Sequence, residues 1–515
     1  MLCLRRAGAE WPVVFSLQRM GTLLISAVLI SACIAQSGFA DEPTLYEPAI
    51  NPDLQPLIAT LETLRAEVQN STQTLGAYNE ELLGSLNSLT EALVSAQAWQ
   101  EAATMVEQQI QILRINDGLY TEAQIPLIEK QLGILAARQD WITLQDRLDY
   151  LTFLLDRNQE QIPAETRLAQ YKQVRDWTRL LLTRGPQSME ARYVLQLQVI
   201  EDAALQLAQD ELHDPDIRQA LIYDRALAEL YMALGIMGSS DTRSQLINRL
   251  NGPRPLSERR LSSLTGLNDI ESAYGPATST VIERAHRTSM SRHQSMIASL
   301  ASVYGETNPN TALATLEQDD PEQAAMIKLF IGDSVLLRQQ YEMRIGSHIG
   351  QSRGNGSTGS AARYYQEAWQ LLLKAGYNNE QLNEWFACPT LLPLDQFSKR
   401  LQTLQQNCQV AADDSVSIAA TAVVRNGIPG LRYDQLPDSE LISAAEGVAA
   451  QLRFAVGVNG QADRIEILSG TPESTSTRIR GKQALETLQF RPALRDGRAQ
   501  RTTGIIMTIY SLAPG

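Results

Sequence analysis

Four histidines, His213, His286, His293 and His348, are the first place to look for chemistry in this chain. Glu283, His286 and His293 can share one helix face, but zinc sites on helices use a tighter ligand pair, so the three read as a solvated polar face. Gly354-Asn355-Gly356-Ser357-Thr358-Gly359 has the G-x-G-x-x-G spacing that lets a backbone approach a pyrophosphate. A dinucleotide site requires a strand before that loop, whereas a helical pattern precedes it here. With Ser352, Ser357 and Ser360 in and around it, the stretch reads as a flexible loop. Neither a Walker sequence, a nucleophile elbow nor His-Glu-x-x-His occurs, and the carboxylates align into no acid/base pair. The reading is therefore of a protein that is not an enzyme, with no catalytic residue, metal or cofactor assigned.

The four cysteines follow the compartment. Arg5, Arg6 and Arg19 precede an apolar run from Gly21 to Ala32, the pattern of an export signal over residues 1–40. Gly38-Phe39-Ala40 suits cleavage after small side chains, and Ile30-Ser31-Ala32-Cys33 resembles a bacterial lipobox, which makes Cys33 a candidate for lipidation and membrane attachment. An uncleaved anchor is the third option. Each puts the body outside the cytoplasm, in the periplasm. Only Cys388 and Cys408 remain in the body, and in an oxidising space we expect them to form a disulfide. Closing that loop contributes about 3 kcal/mol.

The elements that position everything else are helices. Gly76-Ala77-Tyr78 returns as Gly118-Leu119-Tyr120 and Trp99 returns as Trp141, both after 42 residues. Fixed-period similarity marks stacked repeats. Leu82, Leu86, Leu89 and Leu93, then Ala102, Val106, Ile110 and Leu113, give each copy two antiparallel helices. Tyr78, Trp99, Tyr120 and Trp141 are expected as repeat core, because large rings fill gaps between neighbouring helices. The array continues near Ala164–Thr183, Met189–Asp210 and Ile217–Leu234, although Trp177 breaks the register. We read residues 41–237 as this repeat domain, Gly238–Pro255 as a polar connection, and 256–406 as a second helical region.

Residues 407–447, with Asn426-Gly427 and Pro429-Gly430, read as a lead-in to a small C-terminal domain over 448–515. Ala450, Leu452, Phe454, Val456 and Val458 alternate with other residues and run into Asn459-Gly460, a strong hairpin signal. The return strand is Asp463–Leu468. Gly481, Ala484, Leu485 and Leu488 mark a helix face, and Gly504–Leu512 is a last strand. The predicted fold is thus mainly α, a helical-repeat solenoid followed by a small β-β-α-β layer. Outward-pointing Ile506, Thr508 and Tyr510 on the last strand are the candidate partner-binding residues. A competing expectation is that residues 407–441 cover that edge.

Two resemblances follow from these residues. Tyr78, Leu93, Trp99 and Ala102, with Tyr120, Leu135, Trp141 and Leu144, resemble the tetratricopeptide repeat family over about a third of the chain; Leu144 departs from the small residue expected there. Phe454-Ala455-Val456, Ile465-Glu466-Ile467-Leu468 and above all Phe490-Arg491-Pro492-Ala493-Leu494-Arg495-Asp496-Gly497-Arg498 resemble the C-terminal domain of TonB-like proteins. The first resemblance implies a scaffold for protein partners. The second implies strand addition at a sheet edge. A long Pro-rich spacer, which energy transducers carry, is not evident. The chain's net charge is −14, although residues 448–515 hold nine basic against five acidic side chains. An acidic body disfavours nucleic acid. The expected function is that of an exported scaffold or adaptor for envelope proteins, of open oligomeric state. A TonB-type transducer and a cell-wall enzyme with targeting repeats are the alternatives.

Overall fold

The computed structural model describes residues 55–236, 240–251, 279–304, 308–348, 359–404, 408–410, 416–418, 422–425, 428–432, 447–471 and 474–512. Met1–Pro56 is one unit and Leu57–Gly515 a second. The signal segment, Cys33 and the Gly-rich loop before Gly359 lie outside the described residues. The chain is mainly helical, with a small sheet region at its C-terminal end.

After α1 (Gln55–Leu75), α2 (Leu82–Ser95) and α3 (Trp99–Asn116) form one hairpin, and α4 (Ile125–Ala137) and α5 (Trp141–Arg157) a second. The two are built by the same turn. Ala98 N donates to Leu93 O and Gln97 N to Val94 O; 42 residues later Asp140 N donates to Leu135 O and Gln139 N to Ala136 O. These are Schellman closures, and the residue at the left-handed position is Gln97 (φ 56°) or Gln139 (φ 57°) where glycine is usual. Leu82, Leu86, Leu89, Leu93, Ala102, Val106, Ile110 and Leu113 are all buried, as their spacing requires. Leu144 is fully buried, so the second hairpin accommodates the larger side chain.

Next come α6 (Ala164–Arg184), α7 (Glu190–Leu207) and α8 (Pro215–Ile236). The supposed connection 238–255 contains α9 (Ser240–Asn251), a helix with too few apolar residues to be recognised by periodicity. Then follow α10 (Ser279–Ser299), α11 (Pro309–Asp319), α12 (Pro321–His348), α13 (Gly359–Lys374) and α14 (Asn379–Trp385). α10 packs on α8. One hydrophobic core runs from Leu61 to Leu404, so the two helical regions are continuous in packing.

The C-terminal strands begin earlier than the sequence pattern indicates. β1 (Thr390–Leu392), β2 (Cys408–Val410), β3 (Val416–Ile418), β4 (Ala422–Arg425) and β5 (Ile428–Arg432) precede β6 (Gly447–Val456) and β7 (Ala462–Thr471). After them come α15 (Thr475–Thr487), three short strands β8 (Gln489–Arg491), β9 (Ala493–Arg495) and β10 (Arg498–Gln500), and β11 (Thr502–Leu512). β6 is antiparallel to both β7 and β11, while β3 and β4 pair with β11 in parallel. The described strands of the lead-in, β2 to β5, thus belong to the sheet. Ala450, Leu452, Phe454, Val456, Ile505, Met507 and Ile509 form its buried face under α15. Gly481 allows the close approach, because a Cβ there would lie 2.4 Å from that of Ala450. Val458, the last of the alternating apolar set, is 57% exposed, because the strand ends at Val456 and a turn begins at Gly457.

Candidate functional site

The strand expected to receive a partner is β11, and its edges are occupied. β6 pairs along one side from Thr502 to Leu512. On the other side Ile506 is in register with Ser417 of β3, and Tyr510 with Val423 of β4. Ile506 and Thr508 are half-buried, and the Tyr510 side chain lies outside the described ones. Of the two expectations for Ile506, Thr508 and Tyr510, the pairing of β3 and β4 with β11 corresponds to the one in which residues of 407–441 lie along that edge. Among the described strands β7 pairs with β6 alone, but its ladder shifts twice and Arg464 sits at φ 51°. Bulges and charges of this kind blunt an edge against pairing.

The segment Phe490–Arg498 is a joint between sheet and helices. Phe490 enters the sheet core beside Phe454, with ring centroids 5.6 Å apart. Its neighbour Arg491 points the other way and is 1% exposed. Arg491 Nε donates to Asp333 Oδ1 of α12 at 2.9 Å, and a second arm reaches Asp333 Oδ2. Tyr365 Oη of α13 donates to the same carboxylate at 2.9 Å. It approaches across Gly332, where a Cβ would clash with the ring at 2.6 Å. Leu494 N donates to Phe386 O, Leu494 joins the helical core, and Asn383 and Asp496 exchange two hydrogen bonds. Asp496 (φ 50°) and Gly497 (φ 75°) make the β9–β10 turn, which sits against Trp369. β1 pairs with β8 beside this joint.

The repeat tyrosines are on the outside. Tyr78 is 57% exposed and Tyr120 is 41% exposed, which corrects their placement in the repeat core. Trp99 and Trp141 are half-buried at the first position of α3 and α5, packed on the core without being enclosed by it. Each tyrosine turn is held from behind by an asparagine. Asn116 Nδ2 donates to Tyr78 O at 2.9 Å, and Asn158 Nδ2 donates to Tyr120 O at 3.1 Å. The second turn is further fixed by the fully buried Gln124, whose amide reaches Leu119 O at 3.0 Å. The Tyr120 ring meets Phe153 edge-on at 5.2 Å, with the Arg157 guanidinium 5.9 Å from its centroid. Leu75, Ile115 and Leu119 around these turns are also exposed.

Two buried polar groupings escaped the sequence reading. His286 and His293 are 0% and 2% exposed, so α10 turns them into the core and their placement on a solvated face is corrected. His293 Nδ1 donates to Ala226 O at 2.8 Å, and burial pushes both imidazoles down to about 4. Arg175 and Arg179 of α6 meet Asp224 of α8, with Glu201 of α7 beside them. Burial, reinforced by Asp224, pushes Glu201 up to about 8. Among the described residues no cluster of His, Cys, Asp and Glu could hold a metal ion. Cys388 is disulfide-bonded. The side chain of its expected partner, Cys408, lies outside the described ones. A cleft of 460 Å³ opens between Gln159–Ala164 and the ion pair of Arg167 with Glu211. Among the described residues no helix is long and apolar enough to cross a membrane.

No protein-family model matches the chain, and no curated protein matches it significantly.

Proposed function

We propose that the protein is an exported envelope scaffold in which a tetratricopeptide-like helical array and a TonB-like sheet present surfaces to other proteins. The observation that carries this reading is the repeated turn. Tyr78 and Tyr120 occupy the same place in two consecutive hairpins, face solvent, and are backed by Asn116 and Asn158. The contacts of Tyr120 with Phe153 and Arg157 cannot account for the part of both rings that is left in water at matched positions. Binding can, because an aromatic side chain on a rigid backbone loses little conformational entropy when a partner covers it.

The transducer alternative is weakened by the sheet itself. A TonB-type module takes up a partner strand, whereas here β11 is flanked by β6 and by β3 and β4, and the sheet is pinned to α12 through Arg491. Residence in the periplasm, with or without lipidation of Cys33, belongs to the same proposal. The test is capture from envelope extracts by the wild-type chain and by Tyr78→Ser/Tyr120→Ser. We expect the wild type to retain a defined set of envelope proteins that the double variant loses at unchanged melting temperature. Equal capture by both removes the reading.

A further inference from the structure

The turn surface carries its own charge signature. Glu80 and Glu81 follow Tyr78, Asp117 precedes Gly118, and Glu122 follows Tyr120, all exposed beside the apolar side chains and outnumbering Arg157, the cation over the Tyr120 ring. The region is acidic as a whole: residues 55–158 contain fourteen Asp and Glu against six Lys and Arg. A surface that is apolar at its centre and acidic at its rim suits a partner with the same layout and the opposite sign.

This chain displays such a partner on α15. The helix buries Thr477, Gly481, Ala484 and Leu485 on the sheet. Its outer face exposes Ile479, at 52%, between Arg478 and Arg480, with Lys482 nearly one turn further on, where it pairs with the exposed Glu486 at 3.9 Å. Covering that isoleucine would remove apolar area from water, and the flanking arginines would set the charge of whatever covers it. The surrounding domain is basic, with nine Lys and Arg against five Asp and Glu in residues 448–515. Acidic and basic ends thus lie on one polypeptide, each with an apolar centre.

We infer that the tyrosine turns of one copy dock the α15 face of a second copy, giving a head-to-tail assembly. Tyr78, Ile115, Leu119 and Tyr120 supply the apolar seat for Ile479, and the rim carboxylates face Arg480 and Lys482. Because two different surfaces meet, the contact is heterologous; it closes into a ring or extends as a chain according to the rotation between copies. The rim charges are exposed, so they set register and association rate, and salt weakens them.

The inference rests on the scaffold reading for its use of the turn surface, and one experiment separates the two. The full chain, purified from the compartment where it accumulates, is followed by sedimentation velocity over a concentration series at 50 and 500 mM NaCl, conditions spanning strong and weak screening at about 14 and 4 Å. We expect a mass that rises with concentration at low salt, and at least a tenfold weaker association at high salt. Ile479→Glu and Tyr78→Ser/Tyr120→Ser each abolish it without changing the melting temperature. Glu81→Lys/Glu122→Lys and Arg480→Glu/Lys482→Glu are each monomeric alone, and mixing them restores assembly with the two variants in equal proportion, because each keeps one surface that the other's complements. A chain that stays monomeric at low salt overturns the inference, as does self-association that these variants leave intact. A monomeric chain that still captures envelope proteins through Tyr78 and Tyr120 overturns the inference and leaves the scaffold reading standing.

Discussion

At the scale of single residues, burial decides what each charged group does. Arg491 and Asp333 are 1% and 4% exposed, so removing either partner leaves an ion stranded in a low-dielectric interior. Arg491→Met is expected to lower unfolding stability by about 3–5 kcal/mol in urea titrations. Asp333→Asn retains an acceptor for Tyr365, and combining it with Arg491→Met should recover at least about 1.5 kcal/mol of coupling; strict additivity would show that the pair does not hold the joint. The histidines make stability depend on pH. His286 and His293, held at about 4, bind fewer protons folded than unfolded between pH 4 and 6.5, so stability is full above the unfolded value and falls as pH drops through that window. Each should contribute a loss of about 2 kcal/mol by pH 5, and His293→Gln should flatten the slope of unfolding free energy between pH 7 and 5. Glu201 acts in the opposite sense. Raised to about 8, its share is present at low pH and lost as pH rises through 8. Together these groups place maximal stability near neutrality, on the acid side.

At the scale of elements, the two hairpins offer an internal control. Asp140 caps α5 by accepting from Thr143 N at 3.2 Å, while Ala98 occupies the matching place before α3 with no side-chain cap. Their backbones agree, at φ −85°, ψ 71° and φ −81°, ψ 58°. Ala98→Asp should therefore raise stability by about 1 kcal/mol in thermal or urea unfolding. No gain would mean that the copies differ more than their turns do. For β11, amide exchange on the free chain should already show protection at Ile506 and Tyr510; fast exchange there would reopen the edge that β3 and β4 fill. The helices were legible wherever leucines recur at helical spacing, as from Leu82 to Leu113, and so was the alternation from Ala450 to Val456. Exposure was not. A tyrosine matched across repeats reads the same whether it fills a gap or faces water, and only the turns at Gly76 and Gly118 settle it. The polar face of α6 was illegible for the converse reason: Thr178 and Arg179 are buried and Arg175 half-buried by partners far along the chain, which periodicity cannot report.

At the scale of the whole molecule, the sequence suggests a detachable C-terminal module, and the packing argues against one. Leu494 belongs to the helical core while Phe490, four residues earlier, belongs to the sheet core. Leu391 and Leu392 divide the same way, on adjacent residues of β1. Each core is thus completed by residues whose neighbours complete the other, and the Arg491 ion pair and the Asn383–Asp496 exchange lock the seam. Two domains joined by a linker would unfold separately; two cores interleaved along one strand pair should not. We expect calorimetry of the chain from Leu57 onward in sequence to show helix and sheet melting in one transition, with far-UV and near-UV signals superimposed. Arg491→Met should split that transition before it lowers the helical one, because the seam loosens first. Two separate transitions in the wild type would show that α12–α14 merely touch the sheet, and the joint would then be a hinge between independent domains.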